Sequence, residues 1–219
     1  MKKDVYELPN YQEKFEVSSE PINKDIGFVI IRPDMRHIDQ TLLTFLENNN
    51  LEIVKCFEKK VDYSQYKKIY EKDLFEKMEN NPRMLFTIPS RTLVYLAGNS
   101  NIVLFRQKTL SDEHSSDYVV NNLKGLEGRP EENTIRGDIV YKECLKLQES
   151  GELLDPFGMY EKMIKSNKKD LFHYGYPDSS KILRYAGQGV HCPNKLEAIR
   201  DLAAVLSLNE LTNLSQEIN

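Results

Sequence analysis

The sequence predicts an α+β fold in which an antiparallel sheet carries helices on one face, with a mostly helical insertion in the second half of the chain. Three observations predict it. Short apolar runs typical of strands alternate with segments whose apolar residues recur every three or four positions. Helical segments separate the strand-like runs, so adjacent strands need not be consecutive in the chain. A long segment at about 143–186 has a mixed helical pattern and is interpreted as the insertion.

Four segments have the character of strands. Ile26–Ile31 is a continuous apolar run that stops at an Arg-Pro-Asp sequence, as a buried strand stopped by proline does. Leu51–Glu58 alternates apolar and polar residues imperfectly, and Ile102–Arg106 follows a turn rich in glycine and asparagine. The last strand is short and flanked by glycines, and it ends at His191.

Helices are expected between these strands and after them. The predicted helices are a segment marked by Ile38, Leu42, Phe45 and Leu46, then Asp62–Met78, Arg91–Ala97, Asp117–Leu123, and a helix that begins after Asn194. Asn194 and Glu197 have the spacing of a capping box, and Leu196, Ile199, Ala203 and Leu206 are expected to form the apolar face of that helix. This order of elements fits a ferredoxin-like split βαβ sheet.

Composition narrows the range of functions. The chain has 219 residues, a net charge of −4 and 40% hydrophobic residues, which is ordinary for a globular protein and gives no overall reason to expect a nucleic-acid or membrane partner. Its three cysteines are widely spaced and form no CxxC pair, so we expect free thiols and a cytoplasmic protein. Residues 1–24 are polar and irregular and are interpreted as an N-terminal arm, with one domain over 25–219.

His191 is the first candidate for chemistry. It would lie a few residues ahead of a helix N-terminus, where unpaired N–H groups and the helix dipole favour an anion such as a phosphoryl group. It also has a plain reading, as a polar residue at a strand end. Cys192 beside it is a weaker candidate for a nucleophile or ligand, because no second cysteine or nearby histidine completes a site.

Several arginines and lysines are candidates for phosphate binding. Arg136 is expected in a tight glycine-containing turn, and a guanidinium held there suits bidentate binding of phosphate. Arg32 follows a buried strand and is equally compatible with a solvated charge. Lys124 and Arg129 flank two glycines, and for both a solvated loop face is the favoured reading. The sequence contains no P-loop, so any phosphate site must be built from side chains.

Taken in order, four motifs resemble the nucleoside diphosphate kinase family. They are Phe28-Val-Ile-Ile-Arg-Pro-Asp34, Thr134-Ile-Arg-Gly-Asp138, the Gly-Val-His191 strand, and the helix that contains Glu197–Leu202. In that family a strand ends in Lys-Pro-Asp, a loop carries Thr-Ile-Arg-Gly-Asp, and a later short strand presents a histidine. The resemblance covers roughly residues 26–138 and 187–206. It implies a ferredoxin-like core and a ping-pong transfer of a γ-phosphoryl group from a nucleoside triphosphate to a nucleoside diphosphate.

The resemblance also implies roles for individual residues. His191 corresponds to the nucleophile that forms phosphohistidine, and Arg136 to the phosphate-binding arginine. Tyr70 matches the family's active-site tyrosine on the helix after the second strand. Gln188 takes the place of an asparagine that contacts the sugar. Asp201 falls near the glutamate that orients the histidine, if one gap is allowed.

Further features follow from the same resemblance. The base-stacking aromatic is expected in the loop 84–90, where Phe86 is the candidate. Arg32 replaces the lysine that precedes Pro-Asp in the family, and Lys124 or Arg129 is expected to substitute for its second arginine. Mg²⁺ would bridge the nucleotide phosphates, and we expect a homo-oligomer.

Two functions remain open on the sequence. The first is an active phosphotransferase that uses His191. The second is a catalytically weak nucleotide-binding or scaffold protein on the same fold. The first is the preferred reading, because a bare scaffold has no need to keep His191 and Arg136 together. The second is motivated by the Arg32 replacement, by the missing threonine that precedes the Thr-Ile-Arg-Gly-Asp loop in the family, and by the insertion that leads directly into the His191 strand.

Overall fold

The structure is a computed structural model that describes residues 25–70, 95–96, 98–126, 131–143, 145–146 and 189–218. Its sheet has four strands, β1 (Gly27–Ile31), β2 (Leu51–Lys59), β3 (Ser100–Gln107) and β4 (Val190–His191). They lie in the order β2-β3-β1-β4, and each pair of neighbours is antiparallel. All four predicted strands are present, and the α+β class is confirmed.

Helices connect the strands where the structure describes the chain. They are a 3₁₀ helix (Pro33–Ile38), α1 (Asp39–Asn48), α2 (Tyr63–Tyr70), α3 (Ser115–Tyr118) with a π-helical turn after it (Val119–Leu123), a π-helical segment (Ile135–Tyr141), α4 (Lys195–Val205) and α5 (Leu208–Ile218). The predicted arm at 1–24 and nearly all of the insertion at about 143–186 lie outside the described residues. Residues 71–78 of the predicted helix Asp62–Met78 and most of the predicted helix Arg91–Ala97 also lie outside them. Among the described residues, no helix combines the length and the apolar character needed to cross a membrane.

The prediction of helices on one face of the sheet is wrong. Val29 and Ile31 of β1 pack into a core with α1 and the segment Ile135–Tyr141, whereas Phe28 and Ile30 pack into a second core with α2, α4 and α5. All five residues of β1 are buried. A strand whose side chains are buried in both directions needs a layer on each face, and this is what a continuous apolar run indicates.

Residues 134–138 form the start of a helical segment, so the predicted tight turn is also wrong. The Thr134 hydroxyl accepts a hydrogen bond from the Gly137 N–H at 3.0 Å and donates one to the Glu131 carbonyl at 2.8 Å. A Cβ on Gly137 would lie 1.8 Å from the Glu131 oxygen, so only glycine fits there. The helix cap, and not a turn type, therefore fixes the backbone of Arg136.

Helix α4 begins with the predicted capping box. Asn194 accepts the Glu197 N–H at 2.9 Å, and Glu197 accepts the Asn194 N–H at 3.2 Å. The predicted apolar face is wrong at Leu196, which is 81% exposed. The buried face instead includes Asp201 and Leu202, because the burial of Asp201 depends on charged partners that hydrophobic periodicity does not detect.

Candidate active site

His191 lies on the edge strand β4, opposite Ile30 of β1. The Arg32 N–H donates to the Gly189 carbonyl at 3.1 Å, which extends the pairing beyond the strand. A Cβ on Gly189 would approach the Val140 side chain to 2.7 Å, so this glycine allows the strand to pass close to the Ile135–Tyr141 segment. Strand β4 is thereby fixed on both sides.

A buried carboxylate holds the imidazole. His191 Nε2 lies 2.8 Å from Asp201 Oδ2, and the Asp201 side chain is fully buried while 12% of the His191 side chain is exposed. The other carboxylate oxygen, Oδ1, accepts from Arg200 Nε at 2.7 Å. Because an ionised carboxylate only accepts hydrogen bonds, the neutral imidazole carries its proton on Nε2. The lone pair is then on Nδ1, which receives no hydrogen bond from the described residues.

Aromatic rings border the imidazole. The Tyr70 ring meets it edge-on at a centroid distance of 5.1 Å, and Phe28 of β1 at 6.5 Å. The Tyr70 hydroxyl shares a hydrogen bond of 2.8 Å with the hydroxyl of Tyr95, which is buried. Tyr66 packs against both tyrosines at 4.9 and 5.2 Å. Tyr70 is therefore positioned by packing as well as by its hydroxyl.

Two cations gather at the residue that follows His191. Lys124 Nζ donates to the Cys192 carbonyl at 2.6 Å, and Arg136 donates to the Gly125 carbonyl through Nη1 at 2.8 Å. The Arg136 N–H also donates to the Lys124 carbonyl at 3.2 Å. Burial raises the pKa of the Cys192 thiol, and the positive charges of Lys124 and Arg136 partly oppose that rise. Cys192 is therefore a buried thiol and a poor nucleophile.

Arg136 retains unused donor capacity. Its Nε is buried and has no hydrogen-bond partner in the part of the chain that the structure describes. A buried N–H without a partner is costly, but the Arg136 side chain as a whole is only half-buried and its exposed part can meet an acceptor. A phosphate oxygen is the kind of acceptor that a guanidinium binds well.

The remaining predicted site residues are distributed unevenly. Arg32 is 1% exposed at the end of β1, where its backbone is tied to Gly189. Phe86, Arg129 and Gln188 lie outside the described residues. Of the nine predicted site residues, the structure brings His191, Asp201 and Tyr70 into contact and gathers Lys124 and Arg136 beside Cys192. The Asp138 carboxylate, next to this site in the sequence, accepts the Asn133 N–H and pairs with Lys142 at 2.7 Å, which is a structural role.

Sequence reasoning missed Arg200 and Tyr95. Arg200 precedes Asp201 directly, and neighbouring residues on a helix do not face each other, so spacing gave no reason to pair them. Tyr95 is 25 positions from Tyr70 and reaches it only through the tertiary fold. The one available signal for Tyr95 is that buried tyrosines usually find a hydrogen-bond partner.

The described residues thus define an α+β protein with a carboxylate-held histidine at a sheet edge and two cations beside it. No family model matches the sequence, and no curated protein matches it. The structure is similar to an NDP kinase from Pyrobaculum aerophilum, with a TM-score of 0.47 and 15% identity over 85% of this chain and 98% of that chain. A similarity at this level establishes neither the family nor the activity of this chain.

Proposed function

We propose that this chain is a nucleoside diphosphate kinase-like phosphotransferase in which His191 carries a phosphoryl group between nucleotides. The observation that carries the proposal is the contact between His191 Nε2 and the buried Asp201 carboxylate. It leaves Nδ1 as the unprotonated nitrogen, and neutral imidazole is a competent nucleophile near neutral pH. The order of the sequence motifs supplies the choice of nucleotides as substrates.

The proposed reaction has two half-reactions. In the first, the Nδ1 lone pair of His191 attacks the γ-phosphorus of a nucleoside triphosphate, the N–P bond forms, and the bond to the bridging β–γ oxygen breaks to release the diphosphate. In the second, a terminal oxygen of another nucleoside diphosphate attacks the phosphorus and the N–P bond breaks. During both, Asp201 stabilises the positive charge that develops on the imidazole.

Positive side chains support the phosphate part of this proposal. Phosphoryl transfer requires mainly positioning and positive groups around spread negative charge. Lys124 and Arg136 are held beside Cys192, and both side chains are only half-buried, so their charges can act on a phosphate group. The three-residue connection from β4 to the start of α4 also brings a helix N-terminus close to His191.

The sheet order supports the finer fold assignment. In the order β2-β3-β1-β4, β3 separates β1 from β2, and β1 separates β3 from β4. This is the arrangement expected of a ferredoxin-like split βαβ sheet, and we include that fold in the proposal.

The proposal retains the sequence expectations that the described residues do not test. Phe86 would stack on the base, Gln188 would contact the sugar, and Arg32 and Arg129 would act on phosphates. Mg²⁺ would arrive with the nucleotide and neutralise charge on its phosphates. The side chains near His191 fit a metal that is held by the nucleotide, because Lys124 and Arg136 complement phosphate oxygens and would not themselves ligate a metal. A cytoplasmic homo-oligomer remains part of the proposal.

The test is transfer from γ-³²P-ATP with Mg²⁺ to the full chain. We expect an acid-labile, base-stable label on the wild type that unlabelled nucleoside diphosphate removes. His191→Gln should take up no label. His37→Gln is the matched control, because His37 is 41% exposed and pairs with Glu143 on the surface; it should label like the wild type.

Two results would overturn the proposal. One is a folded wild type that binds nucleotide but takes up no label, which would identify the nucleotide-binding or scaffold protein instead. The other is label that persists in His191→Gln, which would place the phosphoryl group on another residue.

A further inference from the structure

We infer that Arg200 is a positioning residue for the proposed phosphoryl transfer: its guanidinium joins Asp201 to helix α2, and so holds the imidazole of His191 in one orientation and one tautomer. The inference rests on the proposed function. It concerns a side chain to which the sequence analysis assigned no role, and one that acts on His191 through its contact with Asp201.

Asp201 is a bridge between two hydrogen-bond donors. Its Oδ2 faces His191 Nε2 at 2.8 Å, and its Oδ1 accepts from Arg200 Nε at 2.7 Å. The Asp201 side chain has no exposed surface, so water cannot replace either donor. A buried carboxylate needs such partners to remain ionised and fixed. Arg200 therefore determines how firmly Asp201 can hold the imidazole.

The same guanidinium reaches the neighbouring helix. Arg200 Nη2 donates to the Ile69 carbonyl at 3.1 Å. Ile69 lies in the last turn of α2 that the structure describes. The next residue, Tyr70, places its ring 5.1 Å from the His191 ring. One side chain thus contacts two of the elements that border the imidazole.

The chemistry of arginine suits this double contact. Arg200 and Asp201 are adjacent on α4 and point in different directions, so only a long side chain can fold back to the carboxylate. The planar fork offers Nε and Nη2 at fixed angles to two acceptors. Lysine supplies the charge from one nitrogen and would reach the carboxylate or the Ile69 carbonyl, but not both in the same geometry.

A purely structural role for Arg200 makes a different prediction. If Arg200 only tied α4 to α2, its loss would lower stability and leave the state of the imidazole unchanged. The positioning role predicts that its loss frees Asp201 to turn, so that both imidazole tautomers become populated. Phosphorylation of Nδ1 would then slow while nucleotide binding persisted, since nothing in this role requires Arg200 to touch the nucleotide.

The experiment compares Arg200→Met and Arg200→Lys with Arg106→Met in the full chain. Arg106 is the matched control, because its Nε donates to the Glu52 carboxylate at 2.8 Å on the surface, near the far end of the sheet from His191. The first readout is the set of ¹⁵N shifts of the His191 ring at a pH where the ring is neutral. The second is the steady-state kcat and KM of phosphoryl transfer through phosphohistidine.

We expect Arg106→Met to match the wild type and to keep the Nε2-protonated tautomer. Arg200→Met should show averaged ¹⁵N shifts and a kcat lower on the order of tenfold or more, with KM nearly unchanged, as for other residues that orient a catalytic group through a second side chain. Arg200→Lys should fall between the two, and it supplies the test if Arg200→Met does not fold.

Wild-type ¹⁵N shifts in folded Arg200 variants would overturn the inference. If the wild type forms phosphohistidine, Arg200 variants with the same kcat as the wild type would also overturn the inference. If the wild type forms none, the proposed function fails, and the ¹⁵N shifts alone then decide whether Arg200 positions the ring.

Discussion

Replacing Asp201 by asparagine tests the proposed chemistry at its centre. Asparagine keeps the shape of the side chain, but it has one acceptor oxygen where aspartate has two. In the structure both oxygens are used, one by His191 Nε2 and one by Arg200 Nε. Arg200 can only donate, so the amide oxygen must turn toward it and the amide nitrogen must face the imidazole. Nε2 then has to accept, and the proton moves to Nδ1.

The expected magnitudes follow from these contacts. Two charge-assisted hydrogen bonds become neutral ones or lose their ionised acceptor, at roughly 1 kcal/mol each, so unfolding should require about 2 kcal/mol less free energy. The effect on phosphorylation should be larger, because the proposed nucleophile has lost its lone pair. A wrong histidine tautomer in a hydrolase triad lowers kcat by about 10⁴-fold, and we expect a loss on the order of 10³- to 10⁴-fold here.

The assay is single-turnover formation of phosphohistidine, combined with urea denaturation. Glu52→Gln is the matched control, since Glu52 also accepts from an arginine Nε, at 2.8 Å, but is half exposed. It should leave the phosphorylation rate unchanged. A folded Asp201→Asn variant that phosphorylates within tenfold of the wild-type rate would refute the assignment of Nδ1 as the nucleophile.

Three further changes test other parts of the molecule. Arg136→Lys should raise the KM for nucleotide on the order of tenfold, because one ammonium replaces a planar fork, and steady-state kinetics measures it. Gly137→Ala should lower the free energy of unfolding by about 2–3 kcal/mol, measured in urea, because its Cβ would overlap the Glu131 carbonyl oxygen. The pKa of Glu210 is lowered from 4.5 to about 2, chiefly by the hydrogen bond from Lys59. The ionised Glu210 therefore stabilises the folded state fully above pH 4.5, and this stabilisation is lost as the pH falls toward 2. Glu210→Gln should therefore be less stable at neutral pH by no more than about 1 kcal/mol, since the pair is solvent-screened, and pH-dependent unfolding should show the difference vanish in that window.

The strands and helix starts were predictable because their causes are local. The apolar composition of Ile26–Ile31 predicted β1, and the spacing of Asn194 and Glu197 predicted the start of α4. A capping box needs only residues three positions apart. These features are determined by neighbouring residues, so they could be predicted without knowledge of the tertiary contacts.

The layers of the fold required information from distant segments. β1 was correctly predicted as a fully buried strand, yet the prediction kept helices on one face. Only the packing of α2 and α4 against Phe28 and Ile30 reveals the second layer. The exposure of Leu196 has the same origin, because the buried face of α4 is set by its contacts with α2 and β1 and by the charged partners of Asp201.

The candidate active site also has a part that is set by local sequence and a part that depends on distant contacts. Three connecting residues and less than two turns of a capped helix separate His191 from Asp201, so their separation is determined largely by local geometry. The pair was proposed from a family resemblance and not from that geometry. Lys124 and Arg136 reach the same place from segments far away along the chain, and Arg200 holds the pair against Ile69 across 131 positions. A local unit can present a histidine and its carboxylate, but the cations that would make this pair a phosphoryl carrier depend on the complete fold. Variants of Lys124 and Arg136 should therefore weaken nucleotide binding and leave the His191 tautomer unchanged, whereas variants of Asp201 should change the tautomer first.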